Sequence, residues 1–269
     1  MTGKAAAGII TLLTDFGSED VYVGVLKGII ATINPQAQVI DLTHQIPPQN
    51  IWAGRFCLMT AVPFFPAGTV HLAVVDPGVG SARRAIAIQI PAGFLVGPDN
   101  GLFSGVLSQT PALAAIELNH PTYWRTHTPS FTFHGRDLFA PVAAHLASGT
   151  PFLEVGSAID PASLVTLPDL FFQATNEGVT GVIQAIDRFG NLISTIPAAA
   201  VQDRHWSVQI HDQVIPAGQT YGDSTPGEPI ALIGSHGWVE VAINQGSAQQ
   251  HLGCHWGEEI RIVLDCHNQ

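Results

Sequence analysis

Charge is scarce in this chain, and positive charge is scarcest. Asp, Glu, Lys and Arg together make up 12% of the 269 residues, with 10 Lys or Arg against 21 Asp or Glu. The formal net charge of −11 repels phosphate backbones, which argues against nucleic acid as a partner. Cysteine is also scarce. Three residues, Cys57, Cys254 and Cys266, cannot all pair within one chain. A chain of this length needs no disulfide framework, so a reducing cytoplasm is the expected compartment. Long apolar runs are missing too. The first one, in MTGKAAAGIITLLTDFG, meets Asp15 before it can serve as a signal core or a membrane span. It reads as a first strand, and no membrane partner is expected. The sequence has no internal repeat, no GxxxxGK[ST] phosphate loop and no GxSxG nucleophile elbow. GVGSARR (78–84) lacks the spacing of a dinucleotide fingerprint and runs toward a strand, not a helix.

What is present is apolar and patterned. Hydrophobic residues make up 46% of the chain, which suits a compact protein with a buried core and excludes disorder. In the first half, strand signals at 8–14, 38–43, 69–76, 84–90 and 93–99 are interleaved with helical spacing at 20–33, 50–65 and 135–149. This alternation predicts a mainly parallel sheet covered on both faces. The pattern breaks over 161–178, in PASLVTLPDLFFQATNEG. Beyond it come short strands at 179–187, 191–196, 205–210, 229–234, 238–243 and 259–264, separated by Gly, Pro and Asp. The expectation is an α/β fold: a larger N-terminal domain (1–170) and a smaller C-terminal all-β, barrel-like domain (171–269).

Four strand ends finish with an acid beside glycine or proline: TDFG (14–17), VVDPGVG (74–80), GPDNG (97–101) and IDRFGN (186–191). Asp and Gly make good turns on their own account. In parallel sheets, however, ligands bind outside the carboxyl ends of the strands. In TFHGRDLFAP (132–141), His134 sits beside glycine at a helix start, where a side chain can face a cleft. Arg136 and Asp137 read as helix-capping residues there. His251, Cys254, His255, Cys266 and His267 gather near the C-terminus, but their spacings match no standard zinc motif and no metal is expected.

Taken in order, TDFGSEDVYVGVLKG, VVDPGVGSARR, GPDNGLF, FTFHGRDLFAPVAAHLASG, IDRFGNLIST and GSHGWVEVAINQGSA span nearly the whole chain. Together they resemble the adenosine-forming S-adenosylmethionine hydrolases, or SAM hydroxide adenosyltransferases, relatives of the fluorinating and chlorinating adenosyl enzymes. The resemblance implies that Asp76, Arg83 and His134 hold the attacking water. Halogenating relatives carry an uncharged residue, typically Tyr, at the position of Asp76, so the hydrolase branch is expected. The resemblance also implies substrate contacts by Asp15 (ribose hydroxyls), Asp187 (methionine ammonium), Asn191 (adenine edge), Ser235 (methionine carboxylate) and Asn244. Trp52 and Phe133 are candidates for packing on the ligand, or for the core. His236 stands where halogenating relatives have Arg. Finally, the resemblance implies a homotrimer, with sites between one subunit's N-terminal domain and a neighbour's C-terminal domain, and no cofactor.

The expected chemistry is hydrolysis of S-adenosyl-L-methionine to adenosine and L-methionine. The leaving thioether is neutral, so the demand falls on aiming and activating water behind C5′. The alternatives are a halide-using adenosyltransferase, a non-catalytic S-adenosylmethionine or nucleoside binding protein, and, more remotely, a zinc-dependent hydrolase.

Overall fold

The computed structural model describes residues 8–175 and 178–264. The chain divides into two compact units, Met1–Leu167 and Pro168–Gln269.

The N-terminal unit begins with β1 (Ile9–Thr14), α1 (Tyr22–Ile33), β2 (Gln38–Thr43), α2 (Ile51–Ala61) and β3 (Thr69–Val74). It continues with β4 (Ala85–Ile90), β5 (Gly93–Pro98), the short α3 (Ser104–Leu107), β6 (Ala114–Glu117), α4 (Ala140–Ala147) and β7 (Ser157–Ile159). Its described strands form one sheet in the order β2-β1-β3-β5-β4-β6-β7. β2, β1, β3 and β5 run parallel, whereas β4, β6 and β7 join antiparallel. The sheet is therefore mixed, with its parallel character confined to the half that carries the first two acid turns and the third. β4 follows β3 through a loop too short for a crossover helix, and β5 follows it by a hairpin, which forces antiparallel pairing there.

Alternation along β1 assigns the layers. Ile10 and Leu12 lie in a buried cluster with Leu26 and Ile30 of α1 and Ala140, Ala143 and Ala144 of α4. Leu13 points the other way and meets α2 at Gly54, where an added Cβ would stand 2.8 Å from Leu102 and 3.1 Å from Val75. α2 opens on Asn50, whose side chain accepts from Ala53 N–H at 3.0 Å. The helix expected at 135–149 is a π-helical turn, Gly135–Phe139, feeding α4. Gly149, at φ 94°, ends it.

The C-terminal unit contains β8 (Phe172–Thr175), β9 (Gly178–Ile186), β10 (Leu192–Pro197), β11 (Trp206–Ile210) and β12 (Gln213–Pro216). β13 (Pro229–Ile233), β14 (Trp238–Ile243), α5 (Ala248–Leu252) and β15 (Glu259–Leu264) complete it. The strand order is β12-β11-β15-β9-β10-β14-β13, with β8 beside β9 and every strand pairing antiparallel. Past β12, Ala217 bridges Ala231 of β13, and Gly218 N–H donates to Ala231 O at 2.8 Å. The two ends of the order meet, so the sheet is a nearly closed barrel around Val179, Ile183, Val208, Val241 and Ile260.

Candidate active site

Adjacent parallel strands release their loops at one edge. Thr14 of β1 pairs with Val74 of β3, so Asp15 and Asp76 leave neighbouring strands at the same end. β5 lies on the other side of β3, and Asn100, just past it, donates its amide to Val75 O at 2.9 Å. Three of the four acid turns thus share the carboxyl edge of the parallel strands, where the sequence placed them.

The loop after β3 is a tight turn. Val79 N–H donates to Asp76 O, and Ser81 Oγ donates to Gly78 O at 2.7 Å. Gly80 has φ 76°, and a Cβ there would stand 2.2 Å from Phe131 O. Only glycine lets this loop lie against the segment that leads to His134.

The turn folds Arg83 back over Asp76. Arg83 Nε donates to Asp76 Oδ1 at 2.9 Å, and Nη2 donates to Oδ2. The same Nη2 donates to His134 Nδ1 at 2.8 Å. Both charged side chains are nearly dry, at 9% and 5% exposed. Arg83 has donors only, so His134 Nδ1 is the acceptor and the ring proton sits on Nε2. Burial, followed by the Arg83 charge, pushes the His134 pKa below its ordinary value, against weaker pulls from Asp76 and Asp137. The imidazole is therefore neutral at pH 7 and carries one N–H. Phe139, on the π-helical turn, backs the cluster, with the Arg83 guanidinium 5.3 Å from its ring centre.

Asp137 has a different role from the helix cap expected of it. It is fully buried and accepts from Arg125 Nε at 2.6 Å, Arg136 Nε at 2.7 Å and Ser130 N–H at 2.8 Å. Burial raises its pKa, but the hydrogen bonds from Arg136, Ser130 and Arg125 outweigh that and hold it well below the carboxylate range. It knots the 125–137 segment and thereby places His134. Asp99, in the third acid turn, is likewise structural. It binds Arg84 Nη2 at 2.6 Å and Val165 N–H at 2.8 Å.

Asp15 accepts from Gln49 N–H at 2.8 Å, tying its loop to the start of α2. Trp52, half-buried on α2, lies under the Arg55 guanidinium at 5.8 Å. Phe133 makes edge contacts with Tyr22 at 5.2 Å and Phe16 at 6.0 Å, an aromatic wall beside the Asp15 loop.

In the C-terminal unit, Asp187 and Asn191 occupy the β9–β10 turn. Asp187 Oδ1 accepts from Phe189 and Asn191 N–H, both at 2.9 Å, and Oδ2 accepts from the Asn191 amide at 2.9 Å. That uses three of roughly four lone-pair positions on the carboxylate and leaves the Asn191 carbonyl oxygen as its acceptor. Ser235 is exposed in the β13–β14 turn. Asn244 donates to Ser224 O at 2.6 Å and braces a loop. His236 accepts from Trp238 N–H at Nδ1 (3.2 Å), so its Nε2–H donates to Glu240 at 3.0 Å. Glu240, 3% exposed, also accepts from the Tyr221 hydroxyl at 2.8 Å. Burial and the Glu240 hydrogen bond push the Tyr221 phenol up to about 12, with the Asp187 charge contributing. Sequence reasoning missed the Tyr221–Glu240–His236 chain, because nothing in the spacing links position 221 to 240.

One group of metal-ligating types lies close together among the described residues: His211, Cys254 and Glu258. Of the C-terminal residues gathered from the sequence, Cys266 and His267 lie outside the described residues.

An acid–guanidinium–imidazole cluster at the ends of parallel strands, in an α/β unit followed by a β-barrel, defines a class of two-unit protein with a polar site at the sheet edge. The comparisons make the class specific. Residues 10–156 match the SAM hydroxide adenosyltransferase N-terminal domain, and residues 181–261 match the C-terminal domain of the same family. The chain belongs to the SAM hydroxide adenosyltransferase family. It is 41% identical over 255 residues to the (R)-S-adenosyl-L-methionine hydrolase of Salinispora tropica, covering 94% of this chain and 97% of that one. It is 41% identical over 260 residues to the enzyme of that name from Thermus thermophilus, at 94% and 99% coverage. A fluorinase from Actinopolyspora mzabensis is more distant, at 26% identity over 98% of this chain and 99% of its own. Among solved structures, an uncharacterized conserved protein from Thermotoga maritima superposes with a TM-score of 0.89 at 37% identity, covering 94% of this chain and 99% of that chain.

Proposed function

We propose that this chain hydrolyses S-adenosyl-L-methionine to adenosine and L-methionine by in-line attack of water on C5′. The Asp76–Arg83–His134 cluster carries this reading, in a chain whose relatives at 35–41% identity are named (R)-S-adenosyl-L-methionine hydrolases. Following that name, the (R) form is taken as the substrate.

The chemistry suits the residues. The C5′–S bond breaks with its electron pair going to sulfur, so methionine leaves as a neutral thioether and needs no acid and no metal. A new C5′–O bond forms, and the water's second proton passes to Asp76. Arg83 holds that carboxylate in place, and its guanidinium, with the His134 Nε2–H, supplies donors for the developing hydroxide. Asp15 takes the ribose hydroxyls, Asp187 the ammonium, the Asn191 carbonyl oxygen the adenine amino group, and Ser235 the methionine carboxylate. Asn244 supports that end of the ligand through the loop it braces. Trp52 and Phe133 supply apolar faces. With both ring nitrogens already engaged, His236 orients its turn and does not replace the Arg of the halogenating relatives.

Halide use is disfavoured by Asp76. A carboxylate about 4 Å from an incoming anion costs about 4 kcal/mol at an effective dielectric of about 20. That is on the order of a thousandfold in occupancy.

The assembly we propose is a homotrimer in the cytoplasm. The trimer follows the family resemblance; Phe131 and Phe189, in loops next to candidate site residues, are 78% and 76% exposed and free to meet a neighbouring subunit. Cys57 and Cys254 are free thiols, which agrees with a reducing compartment. No helix among the described residues is long and apolar enough to cross a membrane.

The test is incubation with S-adenosyl-L-methionine, with and without chloride, followed by chromatography of the adenosyl product. Adenosine in both supports the proposal. A chlorinated nucleoside makes the chain a halide enzyme, and intact ligand after a single-turnover incubation makes it a binding protein.

A further inference from the structure

Three potential metal ligands of three different chemistries converge in the C-terminal unit. His211 stands on the β11–β12 turn, Cys254 follows the end of α5, and Glu258 precedes β15. Their ligand atoms all lie within 4.8 Å of one another, and His211 Nε2 is 3.0 Å from Glu258 Oε2. Tetrahedral zinc, with bonds of about 2.0–2.3 Å, sets ligand atoms about 3.3–3.8 Å apart. Small side-chain adjustments therefore bring the set onto one ion.

An ion pair alone does not account for the arrangement. The His211–Glu258 contact, 53% and 30% exposed, is worth little as a surface bridge. The thiol is the informative member. Cys254 is fully buried, yet its sulfur lies close to a carboxylate instead of among apolar side chains only. Without metal, the sulfur keeps its proton and donates weakly to Leu252 O at 3.8 Å. With a soft divalent cation that proton is released, and Cys254 thiolate and Glu258 carboxylate balance the two positive charges while neutral His211 adds nitrogen. The carboxylate is already oriented, because its other oxygen accepts from His255 N–H at 3.0 Å. His211 and Glu258, with Gln209, Glu259 and Arg261, line a surface cleft of about 410 Å³, which opens two of the three ligands to solvent.

We propose that His211, Cys254 and Glu258 form a zinc-class metal site that clamps the β11–β12 turn to the α5–β15 loop. The site is structural, takes one nitrogen, one sulfur and one oxygen donor, and plays no part in the hydrolysis.

The test is titration of chelator-treated protein with Co²⁺, followed by displacement with Zn²⁺. The expected result is one Co²⁺ per chain, a thiolate-to-cobalt charge-transfer band that Zn²⁺ abolishes, and a Zn²⁺-dependent rise in Tm. Both the band and the rise disappear in Cys254→Ala and in His211→Asn. The second variant keeps the fold if the buried one does not, since Asn tolerates the φ of 51° at this exposed turn. Absence of a band in the wild type overturns the proposal. So does an undiminished band in His211→Asn, which removes the imidazole from the ligand set, or in Cys254→Ala, which assigns the sulfur to Cys57 or Cys266.

Discussion

Arg83 Nη2 donates a hydrogen bond to His134 Nδ1 at 2.8 Å, across a sequence separation of 51 residues. Because a guanidinium cannot accept, this contact fixes the imidazole tautomer and leaves Nε2–H as its only donor. Protonating the ring would set two cationic donors against each other.

A pH profile follows. The His134 pKa is lowered by burial and by Arg83, so turnover stays level through neutrality and falls only at pH values below the ordinary histidine value of 6.5. The pH dependence of kcat checks this. An inflection above 6.5 that disappears in His134→Asn contradicts the neutral-ring reading.

Asp76→Asn keeps the shape of the turn but removes the proton acceptor we propose. Turnover is expected to fall by about 10²–10⁴-fold with ligand affinity retained. Calorimetry alongside single-turnover kinetics separates the two effects, and an unchanged rate removes Asp76 from its role.

Asp15→Ala acts on binding instead. Losing the proposed charged hydrogen bonds to the ribose costs about 1.5–3 kcal/mol, roughly 10–150-fold in Kd. If the dissociation constant does not move, the ribose is held elsewhere.

Gly80→Ala tests the link between the two loops. A methyl 2.2 Å from Phe131 O cannot be accommodated, and φ 76° adds strain. The expected result is a fall in kcat as His134 moves away from Arg83, with the barrel's own stability unaffected. Wild-type turnover in this variant means that the two loops are not coupled.

His71 supplies a stability prediction apart from catalysis. It lies in β3, 1% exposed, bonded to Thr11 Oγ1 at 2.8 Å, and burial pushes its pKa down to about 4. The unfolded chain binds this proton first, so stability is full above about pH 6.5 and is lost as the pH falls toward 4. The loss is on the order of 3 kcal/mol. Urea unfolding across that range measures it, and His71→Asn flattens the curve. A wild-type curve flat from pH 7 to 4 refutes the assignment.

Periodicity marked the positions of several candidates because they sit where it ends, whereas their roles came only from the family resemblance. Asp15 and Asp76 close buried strands, and His134 precedes a helical run, so breaks in hydrophobic pattern marked them. The antiparallel half of the sheet was harder to read. AAIE in β6 and SAI in β7 are too short and too Ala-rich to signal strands, and QVIP in β12 ends in proline. Asp137 read as a helix cap because local rules place acids at helix starts, whereas its partners Arg125 and Ser130 come from a loop with no periodicity. His211 and Cys254 meet only because β11 and β15 pair. The sulfonium configuration has no local signature at all.

The most direct test of the account is hydrolysis of S-adenosyl-L-methionine in heavy-oxygen water, with mass analysis of the products. Attack by the water held at Asp76, Arg83 and His134 puts the label in the adenosine 5′-hydroxyl and none in methionine, and Asp76→Asn suppresses the labelled product. Unlabelled adenosine, or labelled adenosine formed at the same rate by Asp76→Asn, contradicts it.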